Sequence, residues 1–137
     1  MKIKNAFLLI FTSTLLFALS SCEKDEGLLP DISFKTGGSY ISTDVTLAAG
    51  TSITMGINAS KTEDKDVLKQ FDISKSVNGG TPTSVFNKTL SGSEGDNYNY
   101  DYTTTVDPTS GQQTTYTFTV TNRDGLFNQV SVTVTTQ

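Results

Sequence analysis

The sequence predicts an all-β protein, a single antiparallel β-sandwich of about seven strands, on three observations. Apolar residues recur at every second position in one run after another, the pattern of half-buried strands. Short clusters of glycine, asparagine, aspartate and serine separate the runs, as tight turns require. No segment sustains a 3.6-residue period with helix caps.

Taken in order, Asp31–Lys35 is a short strand around Ile32 and Phe34, and Asp44–Ala48 another around Val45 and Leu47. Ala49-Gly50 turns the chain into Thr51–Ala59, where Ile53, Met55, Ile57 and Ala59 share one face. Thr62–Phe71 holds too few apolar positions to bury a helix face, so Leu68–Val77 reads as a strand around Phe71 and Ile73. Lys75 falls in its inward phase, which predicts a strand that ends early or lies at an edge. After Asn78-Gly79-Gly80 comes Thr83–Leu90, then the Ser91–Gly95 turn. Asn97–Val106 sets Tyr98, Tyr100 and Tyr102 against Asn97, Asn99 and Asp101. Beyond Asp107-Pro108 and Gly111, Thr115–Thr121 points Tyr116, Phe118 and Val120 inward. Past Asp124-Gly125, Gln129–Thr135 does the same with Val130, Val132 and Val134. Threonine dominates the outward phase and suits it, being a good strand former.

The N-terminus has a different character. Lys2 and Lys4 precede the apolar run Ala6–Leu19, which is too short for a spanning helix of ~20 residues and fits a secretory signal. Cys22, the only cysteine, stands at its foot with Glu23, Lys24, Asp25 and Glu26 directly after it. A core would not accept those charges unpaired, and a disulfide within the chain is excluded. Leu19-Ser20-Ser21-Cys22 resembles the bacterial lipobox. The resemblance implies cleavage between Ser21 and Cys22 and lipidation of Cys22, whose acyl chains anchor the protein in a membrane. Lys24-Asp25-Glu26 resembles the signal that sends Bacteroidota lipoproteins to the outer face of the outer membrane. As a bare charge run it would be a solvated tether. The expected organisation is a signal peptide over 1–21, a lipidated tether over 22–30 and one domain over 31–137.

Composition then excludes several functions. Lys2 and Lys4 leave with the signal, so eight basic residues remain against fourteen acidic ones. A net charge near −6 lacks the basic patch that nucleic acid requires. The chain has no histidine, and lipid occupies its one thiol, which rules out Ser–His and Cys–His nucleophiles and the usual zinc sites. Ser21-x-x-Lys24 matches a penicillin-binding motif only by accident, because Ser21 is removed with the signal. A paired-carboxylate glycosidase normally has aromatic walls, and there is no tryptophan. An enzyme is not expected.

The stretch Gly111–Gly125 with Tyr116, Phe118 and Val120, followed by Val130, Val132 and Val134, resembles the closing hairpin of bacterial immunoglobulin-like and PKD-like domains. The tryptophan-containing segment usual in PKD domains has no counterpart here, so the resemblance is to Ig-like domains in the broad sense. Such domains serve as spacers, adhesion modules and glycan-binding accessories. The expectation is a lipid-anchored, surface-exposed module acting in binding, adhesion or display. Its alternatives are a glycan-binding accessory of polysaccharide uptake and a structural spacer of an envelope complex. A glycan, an envelope protein or a host protein would then be the partner, besides the membrane.

Three candidate sites come from the residues themselves. Tyr98, Tyr100 and Tyr102 offer flat faces for stacking on sugar rings, but the polar phase of their strand must face water, which turns the rings inward. Leu126 and Phe127 form an apolar pair at a loop tip, read as a cap on the core rather than a contact point. If alternate loops share an end of the sandwich, 60–66, 91–97 and 122–128 gather acidic residues there. Asp64, Asp66, Glu94 and Asp96 are then the candidate ligands for calcium, a hard cation that takes 6–8 oxygens. Lys61, Lys65 and Arg123 offer the alternative of neutralising the cluster without a metal.

Overall fold

A computed structural model describes residues 27–137, which form eight strands and one short 3-10 turn. In chain order these are β1 (Asp31–Phe34), β2 (Val45–Leu47), β3 (Ser52–Ser60), β4 (Leu68–Val77), β5 (Thr83–Thr89), β6 (Asn97–Thr105), β7 (Gln113–Asn122) and β8 (Phe127–Thr136). They make a three-stranded sheet, β1-β3-β6, packed on a five-stranded one, β2-β8-β7-β4-β5. This is the immunoglobulin-like arrangement, with β3 and β6 in the places of strands B and E, and β4, β7 and β8 in those of C, F and G. The first strand of that plan is divided: β1 joins the small sheet and β2 the large one.

The division accounts for the two short strands expected at the start of the domain, and for one difference from the expected antiparallel sandwich. It makes the large sheet mixed, because β2 runs in the same direction as β8 and pairs with it in parallel, Val45 opposite Val134 and Leu47 opposite Thr136.

Alternation along the strands builds the core. Ile53, Met55, Ile57 and Ala59 of β3 meet Phe71 and Ile73 of β4, Phe118 and Val120 of β7, and Val132 and Val134 of β8, all buried. Phe71 sits centrally, its ring centroid 5.2 Å from Tyr98, 5.8 Å from Tyr100, 6.1 Å from Phe86 and 6.3 Å from Phe118. Asn78 and Gly79 close the β4–β5 hairpin with positive φ angles of 50° and 71°, which asparagine and glycine tolerate best.

Lys75 does not mark an end or an edge. β4 continues to Val77 between β5 and β7. The ammonium instead reaches Asp107, 2.9 Å away, at the rim of the core. Residues 28–30, expected in the tether, are also held to the domain. Leu28 N–H donates to Glu63 Oε2 at 3.0 Å, Thr62 Oγ1 donates to the Leu29 carbonyl, and Asn128 Nδ2 donates to the Pro30 carbonyl at 3.0 Å.

Candidate functional site

The chain enters the domain at the end where connections 61–67, 90–96 and 123–126 meet. Ion pairs bind these loops to one another. Lys61 Nζ lies 2.8 Å from Asp96 and 3.6 Å from Asp64, and its backbone N–H donates to the Asp96 carbonyl. Lys88 pairs with Glu94 at 2.5 Å. Arg123 reaches Asp66 at 3.2 Å and Asp124 at 3.3 Å. The hydrogen bond to Asp96, more than Asp64, holds the Lys61 pKa above its usual value against some loss from burial.

The four carboxylates considered for calcium are therefore divided among three cations: Asp64 and Asp96 on Lys61, Glu94 on Lys88 and Asp66 on Arg123. Asp64 is fully exposed and Asp66 is 2% exposed, so the two do not share one environment. Among the described residues no three acidic side chains converge in a way that could hold a metal. A calcium ion there would have to displace these cations.

The tyrosine row packs inward. Tyr98 is buried, Tyr100 stacks on Phe86 at 4.4 Å, and Tyr102 lies 6.0 Å from Tyr116. The row therefore contributes its rings to the core, Tyr98 buried and Tyr100 and Tyr102 half-buried against it. Leu126 and Phe127 divide. The Leu126 side chain folds against Gly27, while Phe127 is 57% exposed.

The opposite phase of the same strands forms the more distinctive surface. Strand register aligns Asp31, Ser60 and Asn97 in one row and Ser33, Asn58 and Asn99 in the next. These six residues, with Ala59 and Tyr98, line a shallow depression of about 210 Å³ on the outer side of the small sheet. Asn58 stands directly opposite Asn99, yet among the described residues the side chains of Asn58, Asn97 and Asn99 make no hydrogen bonds. The outer side of the large sheet is different. There Asp72 accepts from Ser84 and Asn87, Gln70 donates to Asn87, and Thr115 bonds Thr133.

Below the depression, Gly56 leaves room for Tyr40. A Cβ at Gly56 would stand 2.7 Å from the Tyr40 ring, 2.7 Å from Lys35 and 2.6 Å from Asp101. Tyr40 donates its hydroxyl to Asp101 at 3.0 Å, and Lys35 pairs with the same carboxylate at 2.6 Å. Chemically, the surface presents amide donors and acceptors beside one aromatic ring. It holds no nucleophile paired with a base. Sequence reasoning did not single out Asn58, Asn97, Asn99 or Tyr40. The signal was the carboxamides in the outward phase, but their convergence depends on a register set by pairing far apart in the chain.

Ser21, Cys22, Lys24, Asp25 and Glu26 lie outside the described residues. Among the described residues no helix is long and apolar enough to cross a membrane. The fold and this surface define an immunoglobulin-like β-sandwich with a polar outer face. No protein-family model matches the sequence, and no curated protein matches it. Among solved structures, the sporulation control protein Spo0M from Bacillus subtilis is similar over 80% of this chain, at 8% identity and a TM-score of 0.45. The match spans about half, 49%, of that chain.

Proposed function

We propose that the chain is a lipid-anchored, surface-exposed immunoglobulin-like module of a bacterial outer membrane that binds or displays and does not catalyse. The observation that carries this reading is Leu19-Ser20-Ser21-Cys22, a lipobox at the foot of a short apolar export signal, with the chain's one thiol in the lipidated position. The acidic charge of the remaining chain and its lack of histidine support a role without nucleic acid and without acid–base or nucleophilic chemistry. Growth with labelled palmitate tests the anchor. Cys22→Ala should lose the label and accumulate uncleaved precursor, and unchanged labelling would refute the reading. Alanines at Lys24, Asp25 and Glu26 should keep the protein in the membrane but shield it from protease added to intact cells. Protection of the native protein in the same assay would refute surface exposure.

A second reading, a glycan-binding accessory, is favoured by the depression over Asn58, Asn97 and Asn99. Carboxamides that no side chain among the described residues engages match the donor and acceptor pattern of sugar hydroxyls, and an aromatic ring nearby suits the apolar faces of sugar rings. Glycan-array binding that is lost in Asn58→Ala and Asn99→Ala would support it. An array without signal, together with recovery of one envelope protein by crosslinking, would favour a structural spacer instead.

A further inference from the structure

Three of the five large apolar side chains left exposed among the described residues stand at one end. Leu28 is 55% exposed, Leu29 54% and Phe127 57%, whereas Val77 and Val85 lie elsewhere, on β4 and β5. Asn122 Nδ2 donates to the Leu28 carbonyl at 3.4 Å and Asn128 Nδ2 to the Pro30 carbonyl at 3.0 Å. Residues 28–30 therefore run beside the start of β8, where Phe127 stands. The bonds from Leu28 to Glu63 and from Thr62 to Leu29 hold this backbone while the leucine side chains face outward. Isolated exposed leucines are ordinary, but three large apolar side chains exposed at the same end of the sandwich offer that end a contact surface.

What covers this tip is set by the chain that precedes it. Residues 23–26 alone separate Cys22 from Gly27, and a fully extended link of that length spans at most about 17 Å. We propose that the tip rests on the lipid bilayer, with Leu28, Leu29 and Phe127 entering the headgroup boundary and the sandwich standing away from it. This inference rests on the lipid-anchor reading above. Charge is compatible with contact. Asp64, Asp96, Glu94, Asp66 and Asp124 at this end share three basic partners, Lys61, Lys88 and Arg123, which reduces repulsion from a zwitterionic surface. Apolar side chains at such a boundary add to the hold of the acyl chains. With the loops against lipid, the sides of the sandwich and its far end remain for ligands.

The chain has no tryptophan and a single cysteine, which permits a direct test. The mature chain, residues 22–137, is coupled through Cys22 to a maleimide lipid in phosphatidylcholine vesicles that contain brominated lipid. The tryptophan of Phe127→Trp should then be quenched several-fold more than that of Val77→Trp, at the opposite end of the sandwich. Adding Leu28→Ser and Leu29→Ser to Phe127→Trp should remove the excess quenching. Equal quenching of the two tryptophans overturns the proposal, as does a dimer in solution that buries the tryptophan of Phe127→Trp without lipid. Chemical coupling does not depend on cellular lipidation, so failure of the anchor reading appears only in the palmitate assay.

Discussion

Arg123 donates from Nη2 to Oδ1 of Asp66 across 3.2 Å, while Oδ2 of the same buried carboxylate has no hydrogen-bond partner among the described residues. Burial raises the Asp66 pKa above its ordinary 3.8, and the neighbouring Glu63 and Asp124 raise it further. A raised acid contributes stability that is fully present below its unfolded value and is lost as pH rises through its folded value.

Asp66→Asn removes that dependence while keeping an oxygen for Arg123. Its melting temperature should gain on the parent's as pH rises from about 3 to about 7. Melting curves across this range check it, and a constant difference would refute the raised pKa.

Asp107 behaves in the opposite way. Its hydrogen bond from Lys75, with those from Thr114 and Gln112, holds its pKa below 3.8 against the effect of burial. Its contribution is present above that value and is lost as pH falls through the lower folded value. Asp107→Ala should cost about 2 kcal/mol at neutral pH, a figure that allows for partial exposure of the pair. Urea unfolding at neutral and strongly acidic pH should show the difference shrinking in acid.

Two phenylalanines separate core from surface. Phe71 is fully buried at the centre of the ring cluster and Phe127 is 57% exposed. Phe71→Ala should cost about 3–5 kcal/mol and Phe127→Ala under about 0.5 kcal/mol, as measured by chemical denaturation. Similar costs would contradict the assigned core.

Calcium should leave the melting temperature unchanged into the millimolar range, because Lys61, Lys88 and Arg123 already occupy the acidic loops. A cation at about 100 times its dissociation constant would add ~2.7 kcal/mol. A rise of about 10 °C or more in a titration would therefore overturn the assignment of those carboxylates to the basic side chains.

The strands were legible because alternation is a local signal: Ile53, Met55 and Ile57 announce their common face within five residues of chain. Nonlocal pairing was not legible. The inward Lys75 looked like a misfit until Asp107, 32 residues later, was placed beside it. Nothing local distinguishes β2, which joins β8 in parallel, from an ordinary antiparallel strand. The tyrosines drew attention by size, yet size is what the core demanded. The carboxamides behind them gained significance only when Asn58 was set opposite Asn99.

The divided first strand also decides how the domain bears load. β1 starts at the end where the chain enters, and β8 finishes at the opposite end, so tension between those ends acts along the strand axes. The pairs β1–β3 and β2–β8 are then sheared rather than unzipped. Their bonds must yield together, so force applied between those ends meets a lock rather than a zipper.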